Sequence, residues 1–194
     1  ANIYKFEIFE DKIIFKIIFS TIPSIILGYF IYDYVSIYFR SIHLIAISSI
    51  FFAIVLFFAD KIKIKNKDWK SITFTEAFII GLFQILAFIP GASRAGVTIT
   101  GARLFGYDRV NSARYSMLLS IPIILASMSL SLLNFFKDET LKVDIAQSFS
   151  SALVAFITAL FSIIFLMKFI KEANFNIFIL YRVLLGIILL SFYV

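Results

Sequence analysis

"FIPGASRAGVTITGARLFGYDR", residues Phe88 to Arg109, sets an arginine beside a proline-glycine pair inside a strongly apolar segment. Proline has no N–H to give and glycine is a poor helix former, so Pro90-Gly91 forbids a continuous helix. Ahead of that break, Thr75–Ile89 reads as a helix of about four turns, and beyond it Ala95–Phe105 reads as one of about three. Neither reaches the roughly 20 residues needed to cross a hydrocarbon core. Two half-length helices joined at a Pro-Gly corner read as a re-entrant hairpin over about residues 74–106. Irregular backbone at membrane depth is tolerated only where it is buried in protein or lines a polar cavity.

The rest of the chain supports a lipid setting. Of 194 residues, 61% are hydrophobic, 15% are charged and 25 are Phe, whereas a soluble domain carries roughly a quarter charged residues. Apolar runs at Ile13–Ile31, Ile42–Ala59, Tyr115–Phe136, Ala146–Met167 and Ile177–Val194 have the length and composition of spanning helices. Pro23 lies in the first run, where a kink is expected, and Pro122 lies in the third. A polar break is expected at Asp33–Arg40. The expected fold is an all-α integral membrane protein, a single polytopic domain over residues 1–194 with about five transmembrane helices plus the re-entrant hairpin. The absence of cysteine excludes disulfides and thiolate metal sites. The opening "ANIYKFEIFEDK" is mixed in charge, unlike a secretory signal, and reads as a mature or cut start.

The net charge of +6 does not indicate nucleic acid, because no basic face with stacking aromatics stands outside the apolar runs. It indicates orientation. Five lysines fall between Lys61 and Lys70, and such residues collect in cytoplasmic loops. If the hairpin returns to its own side, Lys5, Lys12, Lys16, the loop lysines, Arg109, Lys168 and Lys171 are cytoplasmic. Arg40, Lys137 and Lys142 then lie outside, beside Asp33, Asp138, Glu139 and Asp144. A full crossing in place of the hairpin would carry Lys168 and Lys171 outside. The charge rule therefore selects the hairpin.

The hairpin tip has the groups that bind a phosphate. The N-terminus of the second half-helix supplies unpaired N–H groups and the positive end of the helix dipole. Ser93 stands at the N-cap, Arg94 adds a fork of donors matched to phosphate oxygens, and Thr98 follows one turn later on the same face. Candidate catalytic residues are Arg94, Ser93 and Thr98; candidate substrate-binding residues are Gly91, Ala92, Glu76 and Gln84. Structural roles compete at each position. Arg94 could clamp onto Glu76 or Asp108, Ser93 and Thr98 could cap and back-bond a helix, and Ala92, Gly96 and Thr100 form a small-residue packing stripe. Asp108 reads as the cap of the following helix, with Gly106 ending the one before. His43 reads as an interface residue, and Tyr181-Arg182 as an interfacial anchor in preference to an arginine that reaches inward.

With those residues in place, the chain resembles the bacitracin-resistance family of undecaprenyl-diphosphate phosphatases. The resemblance rests on "EAFIIGLFQILAFIPGASRAGVTITGARLFGYDR" (Glu76–Arg109), "SARYSMLLSIP" (Ser112–Pro122), "YRVLLGIILL" near the end and "FSTIPSIILG" in the first run. Family members usually read Ser where this chain has Ala95, and often Thr where it has Ala92. The resemblance implies a multi-pass enzyme of the bacterial inner membrane that hydrolyses undecaprenyl diphosphate to the monophosphate, recycling the carrier lipid of cell-wall synthesis. It implies a divalent cation, magnesium or calcium, and leaves a homodimer open. The family fold is an inverted repeat of six spans and two hairpins. Its amino-terminal hairpin, with a Glu-Gly-x-x-Glu and Ser-Thr-Gly-His signature, has no match before Phe88, and Glu7, Glu10 and Asp11 do not replace it. The metal ligands are thus unassigned, and the 194 residues alone are expected to be inactive. A secondary transporter or flippase of an anionic lipid is the competing reading, since broken helices also hold transported anions.

Overall fold

The computed structural model describes residues 11–38, 41–137, 145–172 and 174–192. The early acids Glu7 and Glu10, Lys5, and the outer charges Arg40, Asp138, Glu139, Lys142 and Asp144 lie outside the described residues. Among the described residues seven α-helices follow one another: α1 (Asp11–Tyr38), α2 (Ile42–Asp60), α3 (Phe74–Ile85), α4 (Arg94–Leu104), α5 (Arg109–Lys137), α6 (Ile145–Glu172) and α7 (Asn176–Phe192). The all-α membrane fold expected from the sequence is the fold observed. Among the described residues four helices are long and apolar enough to cross a bilayer, namely α1, α2, α5 and α6, and α7 is shorter at 17 residues.

One expectation along the first helix changes: α1, which includes Pro23, continues past Asp33 to Tyr38 where a polar break was expected. A proline in a membrane helix is tolerated when neighbouring hydroxyls and helices compensate the lost bond, and Ser20, Thr21 and Ser24 are buried beside it.

The hairpin α3–α4 sits between two packed layers. On one side, Ile13 and Ile17 of α1 and Tyr115 and Leu119 of α5 enclose Ala77 and Ile80 of α3. On the other, Ala53 and Leu56 of α2, Ile99 of α4 and Ile179 of α7 form a second cluster. The helices approach closely through small residues. A Cβ on Gly81 would fall 1.9 Å from the Ser20 carbonyl oxygen, so only glycine lets α3 cross α1 there. Large apolar side chains of α1, α6 and α7 point outward, as expected for surfaces solvated by lipid.

Both feet of the hairpin rest on the lysine-rich loop. Lys67 pairs with Glu76 at the start of α3, and the Lys65 N–H donates to the Gly106 carbonyl just past α4 at 2.9 Å. The tip meets the middle of α2, where Ser48 donates to the Pro90 carbonyl. Ser48 lies twelve residues from the loop end of α2, a rise of about 18 Å. The hairpin therefore enters and leaves on one side without crossing. A reporter fused after Asn66 should be cytoplasmic and one fused after Lys137 should be outside; finding both on one side would refute this arrangement.

Candidate functional site

Each element of the tip follows from the Pro90-Gly91 corner. Gly91 adopts φ 90°, a left-handed conformation that glycine takes at little cost. A Cβ there would fall 2.3 Å from the Ser48 hydroxyl and 2.4 Å from the Ile45 carbonyl oxygen. Ser93 also sits at positive φ, 66°, which is uncommon for a residue with a side chain. It is the N-cap of α4, its hydroxyl accepting from the Gly96 N–H at 3.3 Å. The carbonyls of the turn face α2 and α7: Ser48 donates to Pro90, and Arg182 Nη2 donates to Gly91 at 2.6 Å and to Ala92 at 2.9 Å. Arg182 is thus an inward-reaching residue and not the interfacial anchor read from the sequence.

Arg94 has no such partners. Neither Glu76 nor Asp108 takes it: Glu76 belongs to Lys67, Thr73 and Tyr107, and Asp108 caps α5 through the Asn111 N–H at 2.7 Å. Among the described residues, the buried side-chain nitrogen and oxygen atoms without a hydrogen-bond partner are Arg94 Nη1 and both amide atoms of Gln84. The surrounding polar groups are satisfied. Thr98 meets Ser116 at 2.6 Å, Ser24 donates to the Gly81 carbonyl at 3.1 Å, and the Tyr115 hydroxyl reaches Ser20 at 3.3 Å. A buried amide or guanidinium nitrogen left unpaired costs about 1–3 kcal/mol or more. Two such groups lie on the two arms of the hairpin, Gln84 in α3 and Arg94 at the start of α4.

The other candidates divide. Gly91, Ala92, Ser93 and Arg94 form the tip itself. Thr98 is 1% exposed and spends its hydroxyl on the Arg94 and Ala95 carbonyls and on Ser116, so it ties α4 to α5. Glu76 is not brought to the tip. It completes a capping box with Thr73 at the foot of α3, about 18 Å of helix from Phe88. Burial alone would raise its carboxyl pKa, but the Lys67 ammonium, the Thr73 N–H and the Tyr107 hydroxyl hold it below the usual range. The same neighbourhood pushes the Tyr107 hydroxyl pKa up, through burial first and the Glu76 carboxylate second. His43 is exposed at the start of α2.

The sequence reading did not single out a charged knot at the foot of α4. Arg103, 1% exposed, gives Nε to Asp60 at 3.2 Å, Nη2 to the Asp60 and Ile62 carbonyls, and Nη1 to the Tyr107 carbonyl. Arg109 takes the other carboxylate oxygen at 2.8 Å. The signal was available, because an Arg and an Asp inside apolar helices must find each other. On the α2–α7 side of the tip lies a cavity of about 520 Å³ whose polar end is Gly91, Ser93 and Arg182 and whose walls include Leu166, Phe178 and Leu189.

The fold and site define a multi-pass membrane protein that turns a helical hairpin back inside the bilayer to present an unpaired arginine at a helix N-terminus. Residues 4–188 match the family model described as bacitracin resistance protein BacA, and the chain belongs to that family. Relatives named undecaprenyl-diphosphatase include one from Clavibacter michiganensis subsp. michiganensis (40% identical, 90% of this chain, 64% of the relative). Others are from Elusimicrobium minutum (40%, 93% and 68%) and Pelagibacter ubique (37%, 93% and 70%). The chain therefore spans about two thirds of the length of these relatives.

Asp60→Ala should destabilise the protein by about 3–5 kcal/mol, because it leaves Arg103 buried beside the second cation Arg109. Thermal unfolding in detergent checks this, and an unchanged midpoint would show that the knot carries no stability.

Proposed function

We propose that the chain is the arginine-bearing part of an undecaprenyl-diphosphatase, removing the terminal phosphate of the lipid diphosphate in the bacterial inner membrane. The observation that carries this reading is Arg94, a half-buried guanidinium at a helix N-terminus with one nitrogen buried and unpartnered. A guanidinium in such a setting is expensive, and a phosphate would supply both the missing acceptor and the opposite charge. The name shared by the family relatives supplies the substrate class.

In the reaction, water attacks the terminal phosphorus, the bridging P–O bond breaks, and the lipid monophosphate leaves with inorganic phosphate as the other product. Negative charge grows on the phosphoryl oxygens and on the leaving oxygen. Arg94 and the N–H groups opening α4 stabilise that charge from fixed positions, which is the largest effect such a site offers. The Ser93 hydroxyl, exposed at the tip, accepts from the Gly96 N–H and keeps its own O–H to donate to a phosphoryl oxygen. Gln84 offers both a donor and an acceptor to the ligand or its ordered water. Thr98 holds the α4 backbone in register with α5.

Diphosphate chemistry ordinarily enlists a divalent cation, and magnesium or calcium belongs to the proposal. The described residues contain no group of three or more His, Asp or Glu that could hold one. Asp60 and Glu76 are committed to cations of the fold. Chelation should abolish phosphate release, with recovery on adding either ion; full activity in chelator would remove the cation from the proposal.

Arg94→Lys in the intact enzyme should fold normally and lose about a hundredfold or more in kcat, because a point charge cannot replace a bidentate fork. Phosphate release from undecaprenyl diphosphate in nanodiscs checks it. Near-normal release by the variant would make Arg94 structural. A wild-type enzyme that moves the lipid diphosphate between leaflets and leaves it intact would favour a flippase.

A further inference from the structure

Arg182 interrupts an apolar helix, "NIFILYRVLLGIILLSF", and a guanidinium at such a position is costly unless it is used. Its Nη2 bridges the Gly91 and Ala92 carbonyls, two consecutive acceptors of the hairpin turn. Glycines make room for this reach. A Cβ on Gly186, one turn along the same face, would fall 2.9 Å from the Ala46 carbonyl oxygen, so α7 lies directly against α2. A Cβ on Gly96 would fall 2.9 Å from Arg182 Nη1. Gly96 and Arg94 are two residues apart, which puts them on opposite faces of α4. Arg182 therefore stands behind the tip while Arg94 stands in front.

The peptide group is planar and trans, so its C=O and N–H point in opposite directions. Pulling the Ala92 carbonyl towards α7 turns the Ser93 N–H the other way. It also fixes the turn while Gly91 and Ser93 hold φ of 90° and 66°. A residue kept in so sparsely populated a conformation persists only when its surroundings over-determine it. Ser48 secures the Pro90 carbonyl, and Arg182 secures the next two.

Resting on the phosphatase reading above, we infer that Arg182 is a positioning residue: it holds the Gly91–Ser93 turn so that the opening N–H groups of α4 and the Arg94 fork meet the phosphate in fixed geometry. It acts through the backbone and does not itself bind the phosphate. Its removal lowers the rate of the chemical step more than it lowers substrate affinity.

The test uses the intact enzyme in nanodiscs with two readouts, amide hydrogen exchange of residues 91–97 and steady-state phosphate release. Arg182→Gln should speed exchange in that segment by about tenfold or more, the effect of losing a charge-assisted hydrogen bond, with exchange in α2 and α5 unchanged. It should lower kcat by a similar factor with KM within about twofold of wild type, and Arg182→Lys should recover part of both. Unchanged exchange would overturn the inference, as would a raised KM with kcat intact, the mark of a direct ligand. If Arg182→Gln fails to fold, Gly96→Ala decides, because its methyl displaces the guanidinium while leaving the charge on α7. The same local rise in exchange supports the inference and no change overturns it. A wild type that releases no phosphate would sink the phosphatase reading, while the exchange measurement would still decide the role of Arg182.

Discussion

A chain that turns back inside a bilayer must satisfy the polar groups of its turn without water, and each one left unpaired there costs several kcal/mol. Here the burden falls on three consecutive carbonyls, Pro90, Gly91 and Ala92, and it is met by one serine on α2 and one arginine on α7. The requirement orders much of the fold. It brings α7 against α2, demands glycine at Gly91 and Gly186 where backbone and side chains crowd, and stops the hairpin short of crossing. Because the carbonyls face α2 and α7, the donors at the start of α4 are left for something else.

The arginines of this region divide on the same logic. Arg103 and Arg109 share Asp60, and Arg103 adds three carbonyls, so that end of the hairpin is electrostatically closed. Arg182 is settled by the carbonyls of the turn. Arg94 retains a buried nitrogen with no acceptor, and Gln84 on the opposite arm retains an amide nitrogen and an amide oxygen without partners. In a segment where the buried hydroxyls have found partners, this unmet hydrogen bonding is what the proposed phosphate would satisfy. Family membership and the relatives' name then say which anion to test first.

Much of the fold was legible because lipid simplifies the rules. Length and apolarity alone place α2, α5 and α6, and the Pro90-Gly91 corner together with the lysine loop gives the hairpin and its return. The tip residues Gly91, Ser93 and Arg94 were readable as a helix N-terminus beside a break. What could not be read was pairing across the sequence. Arg182 was taken for an interfacial anchor because hydropathy reports how apolar a helix is and not which helix it touches. Asp60 and Arg103 lie 43 residues apart and meet only once the hairpin folds back. Glu76 looked like a binding acid because it sits in an apolar stretch, yet the capping geometry of Thr73 and the loop lysine Lys67 claim it.

The central claim is that the unpaired guanidinium of Arg94 is the phosphate ligand. Its most direct test is the equilibrium binding of a non-hydrolysable polyprenyl methylenediphosphonate to the intact enzyme in nanodiscs, comparing wild type with Arg94→Gln. Loss of a charged, bidentate partner should weaken binding by about a hundredfold, on the order of 3 kcal/mol. The variant's fold should be preserved, because Arg94 makes no ion pair to any described residue. Unchanged affinity in a folded variant would contradict the account and return Arg94 to a structural role.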